Sequence, residues 1–309
     1  MSRTAGIAWL LLIATALGTN HVAARLAFDH GVTVPTAVAV RSLVAATFVL
    51  ALIRHAGVAL ALPRPTVQRG LVIGGLVAVQ SLCLSSAVSR MPVALALLVF
   101  NTFPIVLGLL SWSTGGERPG ARTWIAMPIA LLGLALALGG RPGAFAAGNA
   151  EALAAGSAQV LAAGVKNDYL GGGLLALGAS VAFASVLLLT TRWLSVVDGR
   201  VRSLLLMTTV AALTLLVGGL TGGFRGPHDA PGWLGLAILA TLYAGAMTAL
   251  FIVLPRLGAV NNAAVLNVEP IAALAMGWLV LGQTVAPMQM LGAALVVGAI
   301  VMLSAARAR

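Results

Sequence analysis

The sequence predicts an all-α polytopic membrane protein in which ten transmembrane helices form a 5+5 inverted repeat around a central cavity. Residues of the AVILMFWYC set make up 60% of the 309 residues, and charged residues only 8%. The mean hydropathy is +1.05. A soluble domain reaches only about 45–50% apolar residues with glycine included. The apolar runs are continuous and rich in Leu, Ala and Val, which predicts helices rather than alternating membrane strands.

An internal repeat is the second observation behind this fold class. The segment from Arg90 to Glu117 matches the segment from Arg256 to Gln283 at one constant offset of 166 residues. The offset aligns Val99 with Val265, Asn101 with Asn267, Pro104 with Pro270, Ile105 with Ile271, Trp112 with Trp278 and Gly116 with Gly282. A duplicated membrane unit with polar residues and a proline at matching depth is typical of secondary transporters.

Ten apolar runs between Arg, Pro and Gly punctuation each approach the ~20 residues that cross ~30 Å of hydrocarbon. They cover roughly 5–27, 35–54, 70–88, 92–112, 122–140, 170–192, 203–221, 232–254, 260–281 and 286–306. Five spans per repeat is an odd number, so the second copy must enter the membrane from the opposite side. The chain then divides into a first five-helix repeat (1–140), an extracytoplasmic linker (141–169) and a second five-helix repeat (170–309). The linker is predicted to lie on the surface, and a lid over the outer opening is the alternative.

The basic residues predict the orientation, because cytoplasmic loops carry an excess of Lys and Arg. With the N-terminus inside, the four outer basic residues are Arg90, Arg141, Lys166 and Arg225. The twelve inner ones are Arg3, Arg54, Arg64, Arg69, Arg118, Arg122, Arg192, Arg200, Arg202, Arg256, Arg307 and Arg309. This predicts a multi-pass protein of the cell inner membrane with both termini cytoplasmic. It also accounts for most of the net charge of +11 without a nucleic-acid partner.

Glu269 is the strongest single candidate for a functional residue. It lies about ten residues into its span, where a carboxylate costs roughly 2.5–3.5 kcal/mol on insertion scales. Burial favours the protonated form of a carboxyl group, which makes Glu269 a proton-coupling candidate. The alternative is a carboxylate that only holds helices together. Asn262 lies seven residues earlier on the same helical face.

The paired motifs Asn101-Thr102-Phe103-Pro104 and Asn267-Val268-Glu269-Pro270 predict two helix kinks at matching depth. A proline lacks the N–H and disturbs the carbonyl four residues earlier, so Pro104 and Pro270 free polar backbone near the membrane centre. Asn101 and Asn267 lie on the same faces and supply both donors and acceptors. They are candidates for lining a central cavity. Kinks that serve packing alone are the alternative.

Further polar residues within the spans are substrate-binding candidates. Arg41 is placed to bind a carboxylate bidentately, although snorkelling outward or pairing with Asp29 are equally open. A lone intramembrane histidine such as His21 is more often a packing residue. The other cavity candidates are Asn20, Gln80 and Tyr243.

Several missing motifs exclude other classes. The chain has no Gly-x4-Gly-Lys-Ser/Thr loop and a single lysine, Lys166, so it contains no ATP motor. It has neither His-Glu-x2-His nor Gly-x-Ser-x-Gly, so an intramembrane hydrolase lacks its parts. One cysteine, Cys83, excludes a disulfide framework and a cysteine-based metal cluster. We therefore expect no enzymatic activity, no cofactor and no metal.

The two copies resemble the paired motifs of EamA-type transporters in the drug/metabolite transporter superfamily. The resemblance rests on Pro104-Ile105 through Trp112 to Gly116-Glu117-Arg118, and on Glu269-Pro270-Ile271 through Gly277-Trp278 to Gly282-Gln283. Arg41 and the run Leu17-Gly18-Thr19-Asn20 also fit. The resemblance implies a 5+5 inverted fold that exports small organic metabolites, often amino acids, or drugs. It maps cavity residues loosely onto Asn20, Arg41, Gln80, Asn101, Tyr243 and Asn267. Gln283 departs from the usual Glu, and the 141–169 connection is unusually long.

Together these observations predict a secondary transporter that exports small amphipathic metabolites, amino acids first, by alternating access without ATP. Its partners are then a small-molecule substrate and the lipid bilayer, and both a monomer and a homodimer are compatible with the sequence. The second class is a lipid-handling or subunit-like membrane protein whose cavity opens laterally. An apolar slot between the fourth and ninth spans would favour that class, and a sealed, hydrophilic cavity would favour the exporter.

Overall fold

A computed structural model describes residues 3–115, 168–257, 269–282 and 287–305, with helical positions 125, 128, 129, 132, 133 and 136 between them. The described part of the chain forms helices and connections, with no residue in a strand. The helices are α1 (Arg3–Asp29), α2 (Val34–His55), α3 (Arg64–Arg90), α4 (Val93–Phe100), α5 (Phe103–Ser113), α6 (Tyr169–Trp193), α7 (Gly199–Leu220), α8 (Ala230–Leu257), α9 (Glu269–Leu281) and α10 (Pro287–Ala305).

The predicted all-helical membrane character is confirmed at this level. Among the described residues, seven helical segments are long and apolar enough to cross a membrane, counting Val93–Ser113 as one. Two shorter apolar helices, Ala272–Leu281 and Met290–Ala299, follow. The predicted span at 122–140 is described only at six positions, and residues 141–167 of the predicted linker, Asn262 and Asn267 lie outside the described residues.

The helix ends follow from local chemistry. Proline occupies the first turn of α2 and of α3, where its missing N–H has no intrahelical partner to lose. Asp198 caps α7 by accepting from the Arg200 N–H at 2.8 Å. Asp168 caps α6 by accepting from the Gly171 N–H at 2.8 Å, and its own N–H donates to the Arg90 carbonyl at 3.1 Å. The start of α6 is thereby tied to the end of α3.

The contacts between helices join the two halves of the chain. α1 packs against α8 and α9, and α2 packs against α7 and α8. α6 packs against α3, α4 and α5, and α3 also packs against α7. Each of these contacts has an equivalent in the other half of the chain. The α1–α8 contact is equivalent to the α6–α3 contact. The α1–α9 contact is equivalent to the contact of α6 with α4 and α5. The packing therefore relates equivalent helices in pairs.

Close backbone approach holds α1 in this bundle. A Cβ atom built on Gly18 would lie 2.6 Å from the Glu269 carbonyl oxygen and 2.9 Å from the Ala273 nitrogen of α9. A Cβ built on Gly235 of α8 would lie 2.9 Å from the Ala27 nitrogen of α1. Both approaches are to backbone atoms, which cannot rotate away as a side chain does. Only glycine permits these two contacts, and they position the polar side chains that neighbour them.

Candidate functional site

His21 and Glu269 meet at the α1–α9 interface. The distance from His21 Nε2 to Glu269 Oε1 is 3.2 Å, and the two side chains are 10% and 11% exposed. His21 lies eight residues before the end of α1, or about 12 Å along the helix axis. Gly18 brings the two backbones together one turn earlier. A buried imidazole and a buried carboxylate therefore satisfy one another deep in the bundle, at a contact between the first and second halves of the chain.

Asn20, the next residue on α1, links this helix to α8. Its Nδ2 donates to the Leu239 carbonyl at 2.7 Å, and the residue is fully buried. Its Oδ1 has no hydrogen-bond partner among the described residues. A buried acceptor without a partner costs about 1–3 kcal/mol. Asn20 therefore offers an acceptor to a group that carries its own donor.

Arg41 and Tyr243 form the third polar contact, between α2 and α8. The guanidinium carbon lies 4.5 Å from the centroid of the Tyr243 ring, and Arg41 is 3% exposed. Its Nε has no hydrogen-bond partner in the described part of the chain. The alternatives of snorkelling and pairing with Asp29 are not what the structure shows, because Asp29 pairs with Arg25 at 2.9 Å. Arg41 is a buried cation with hydrogen-bonding capacity to spare.

These three contacts are absent from the equivalent places in the other half. The offset of 166 residues relates His21 and Glu269 to Leu187 and Phe103, which belong to one apolar cluster. The same offset relates the pair Asn20–Leu239 to the pair Val186–Ile73. It relates Arg41–Tyr243 to Met207–Val77. These four counterparts belong to a second apolar cluster. The polar chemistry thus gathers on α1, α2, α8 and α9. Phe100, Phe103 and Phe183 occupy the α4–α5–α6 side, with ring centroids 4.9–5.6 Å apart.

The first Asn–Pro motif lies at an interruption between α4 and α5. Helix α4 ends at Phe100 and α5 begins at Phe103, with Pro104 in its first turn. Asn101 is buried and donates from Nδ2 to the Leu97 carbonyl at 2.7 Å. Thr102 Oγ1 lies 3.1 Å from Ser180 Oγ on α6. One N–H of the Asn101 side-chain amide is therefore engaged within its own segment.

The remaining candidates are not brought into this group. Gln80 is half-buried on α3, where its Oε1 accepts from Ser81 Oγ at 3.4 Å. Pro270 lies in the first turn of the described part of α9. Asn267 is outside the described residues. Within the described chain no group of three His, Cys, Asp or Glu side chains is arranged to hold a metal ion.

A second polar network joins the α1–α2 and α7–α8 connections at one end of the bundle. His30 Nδ1 lies 2.6 Å from Asp229 Oδ2, and the His228 N–H donates to the His30 carbonyl at 3.1 Å. Thr33 and the backbone of Arg225 hydrogen-bond to one another. The Gly232 N–H, and after it His30, donate to Asp229 and hold the pKa of this carboxyl group below its usual value. This network joins two hairpins from different halves.

Comparison with known proteins identifies the class. The model of the EamA-like transporter family matches residues 4–139 and again residues 170–305. The chain therefore belongs to the EamA-like transporter family, a family of membrane transporters. A solved structure described only as the crystal structure of a protein is similar at a TM-score of 0.69 and 19% identity, over 98% of this chain and 99% of that one. At that identity the likeness concerns the fold alone. No curated protein matches this sequence.

His21 is a residue of the candidate site whose partner reasoning from the sequence did not find. The sequence favoured a packing role because a lone histidine gives no pattern. One signal was present nevertheless, since the only imidazole within a span and the only carboxylate deep within a span each need a partner. Pairing this imidazole with this carboxylate would have predicted the contact. Arg25 was missed in the same way, and it bridges Asp29 and the carbonyls of Val88 and Met91.

Proposed function

We propose that this protein is a secondary transporter that exports small amphipathic metabolites, amino acids first, by alternating access. The observation that carries the proposal is the buried Arg41, which stacks on Tyr243 and keeps an unpartnered Nε. An ionisable side chain within a membrane span is retained at a cost and is by default a functional hypothesis. Family membership supplies the transporter class, and the polar groups suggest the substrate.

The chemistry of Arg41 and Asn20 suits a zwitterion. A guanidinium N–H donates to a carboxylate, and a free amide oxygen accepts from an ammonium group. Asn20 bonds the Leu239 carbonyl, which lies one turn from Tyr243 on α8. The two residues with unpartnered atoms, Asn20 and Arg41, therefore contact the same two turns of α8.

The pairwise packing supports a 5+5 inverted repeat of 1–140 and 170–309, joined by an outer linker at 141–169. In this arrangement the end of the bundle with Arg54, Arg64, Arg69, Arg192 and Arg200 faces the cytoplasm. At the opposite end, acidic Asp29, Asp168 and Asp229 accompany the basic residues. We place the protein in the inner membrane with both termini cytoplasmic.

The conformational change is assigned to the interrupted fourth span and its partner, the ninth. Pro104 and Pro270 are the proposed kinks, and Asn101, Asn267 and Gln80 are further proposed cavity groups. Glu269 is the proposed proton-coupling group, because it is buried at the contact between the halves. α4 packs directly against α9. This contact disfavours a lipid-handling protein, which would need a slot between the fourth and ninth spans.

Transport in proteoliposomes tests the proposal. Vesicles containing the purified protein and a mixture of unlabelled amino acids are diluted into trace labelled amino acids, with protein-free vesicles as control. Counterflow of at least one labelled amino acid is expected, and Arg41→Gln should lower its rate strongly at trace substrate. A wild-type protein that exchanges no amino acid but transfers a fluorescent phospholipid between leaflets would replace the exporter with the lipid-handling alternative.

A further inference from the structure

The His21–Glu269 contact can accommodate a proton without adding net charge to the buried site. An isolated charge at this depth is expensive, whereas a protonated imidazole beside a carboxylate has no net charge. Their nitrogen and oxygen atoms are 3.2 Å apart and both side chains are about nine-tenths buried. Bulk water therefore reaches neither group freely. The pair is able to keep one proton for as long as α1 and α9 stay together.

No other charged group in the described spans competes for this pair. The helices packed against α1 are α8, α9, α3, α2 and α4. Away from the helix ends, the titratable or charged side chains described on α1 and on these helices are Arg25, Arg41, Arg69, Cys83 and Tyr243, of which Arg69 is exposed. Arg25 is engaged with Asp29 and two carbonyls, and Arg41 lies over Tyr243. His21 and Glu269 are thus each other's ionic partners.

The distance between the two side chains depends on the α1–α9 contact. Gly18 lies one turn before His21, and its backbone approaches the Glu269 carbonyl more closely than a Cβ would allow. With so little space between the helices, separation of α9 from α1 at this level also separates imidazole from carboxylate. The pair consequently exists in the closed contact and is lost when the contact opens.

We propose that His21 and Glu269 together hold the exchangeable proton that couples export to the proton gradient. This inference rests on the proposed function and adds His21 as the second half of the coupling site. In the closed contact the proton lies between His21 Nε2 and Glu269 Oε1. When the helices separate, it passes to water on the open side and leaves a neutral imidazole and a carboxylate. The next proton enters from the opposite side and restores the pair.

The site is single. Its repeat counterpart consists of Leu187 and Phe103, which carry no proton. One proton per transport cycle is therefore expected, measured as the ratio of proton influx, reported by a pH-sensitive dye inside the vesicles, to labelled substrate efflux. A ratio of two would contradict a single site.

The decisive test compares His21→Gln, Glu269→Gln, the double variant and the wild type in proteoliposomes. His55→Gln is the matched control, because His55 is exposed at the end of α2. Counterflow exchange of an amino acid that the wild type carries measures substrate handling without a gradient. Accumulation under an imposed pH difference measures coupling. Both single variants and the double variant should lose accumulation to the level of the gradient-free control while exchange continues, and His55→Gln should keep both activities.

Two results would overturn the inference. His21→Gln that accumulates substrate to the wild-type ratio would exclude His21 from coupling. A double variant that regains the accumulation lost in both single variants would make the pair a structural bridge. If a single variant fails to fold because one buried charge has lost its partner, the double variant carries the test, since two neutral amides then face one another. Absence of counterflow in the wild type would instead refute the proposed function.

Discussion

Arg41 is the residue at which burial and chemistry conflict most. It lies seven residues into α2 and is 3% exposed, yet its compensation consists of a ring face and leaves Nε without a partner. A cation–π contact contributes about 0.5–2 kcal/mol, which is less than the cost of burying a charge in a span. A carboxylate group on the proposed substrate would supply the rest of the stabilisation that the buried Arg41 charge needs. On the proposed function, this deficit favours binding of a carboxylate.

Arg41→Gln should weaken substrate binding more than it weakens folding. A hydrogen bond to a charged group contributes about 1.5–3 kcal/mol, and each 1.4 kcal/mol is about tenfold in affinity. We expect the KM for counterflow to rise by one to two orders of magnitude. Arg41→Lys should be intermediate because it keeps the charge but not the planar stack. Arg54→Gln, on the same helix but exposed, is the control, and an unchanged KM in Arg41→Gln would remove Arg41 from the site.

Asp229 gives a prediction about pH. Its pKa is lowered in the folded protein by the Gly232 N–H and by His30. A carboxyl group whose pKa is lowered on folding stabilises the fold above its unfolded value, near 3.9, and loses this effect as pH falls through the folded value. Asp229→Asn should therefore lower the Tm at pH 7 and at pH 5. The wild type should converge with it below about pH 3. A constant Tm difference across this range would show that the carboxylate's charge is not involved.

At this scale the sequence predicted the unusual groups but not their partners. Glu269 and Arg41 stand out because charged residues are rare in the spans. Their contacts with His21 and Tyr243 join residues that lie some two hundred positions apart, and hydropathy carries no information about such distances. Asn101 has a local contact that the sequence did not predict. Its recurrence as Asn267 predicts a cavity group, which stays a prediction, and its Nδ2 donates to the Leu97 carbonyl.

The element whose placement matters most is α1, which contacts α8 and α9 through glycine. Two backbone approaches, at Gly18 and Gly235, fix its height and rotation. Asn20 and His21 then point to their partners without any adjustment of the neighbouring helices. The repeat counterpart of Gly18 is Ala184, which is fully buried and already carries a Cβ. The tighter approach thus belongs to the half-bundle that contains the polar contacts.

Gly18→Ala should disrupt the α1–α9 contact. The added methyl group would lie 2.6 Å from a carbonyl oxygen, and overpacking of this kind costs typically about 1–3 kcal/mol. We expect a lower Tm and loss of transport. Gly178→Ala on α6 is the control, because nothing lies within 4 Å of its Cβ position, and alanine there should be neutral or slightly stabilising. Equal Tm values for the two variants would contradict the close approach.

The helices themselves were largely predictable. The predicted spans 35–54 and 170–192 correspond to Val34–His55 and Tyr169–Trp193. α3 begins at Arg64, six residues before the predicted 70, because Pro65 and the arginines extend the helix beyond its apolar run. The interruption at Asn101 and Thr102 follows from Pro104, whose ring disturbs the preceding turn. Hydropathy reports only the part of a helix that meets lipid, so polar ends are missed.

In the whole molecule, charge is distributed unequally between the two ends of the bundle. One end carries Arg54, Arg64, Arg69, Arg192, Arg200 and Arg202 with Asp198, whereas at the other Arg25, Arg90 and His30 pair with Asp29, Asp168 and Asp229. The unbalanced end predicts the cytoplasmic side. The paired end is held by links between hairpins from different halves.

Cysteine labelling of intact cells tests this orientation. In a Cys83→Ala background, Gly226→Cys and Val196→Cys place a thiol at exposed positions of opposite ends, and Val196 is 94% exposed. An impermeant maleimide should react with the Gly226→Cys variant in intact cells. It should react with the Val196→Cys variant only after permeabilisation. The reverse labelling pattern would show the opposite topology and would contradict the proposed orientation.

The one-sided chemistry limits what either half could do as a separate polypeptide. A homodimer of the first half would set His21 against Phe103, the counterpart of Glu269. A homodimer of the second half would set Glu269 against Leu187, which leaves a carboxylate without a partner. Neither homodimer contains the imidazole–carboxylate pair. The pair therefore needs one copy of each half, and the single chain supplies the two halves in equal number.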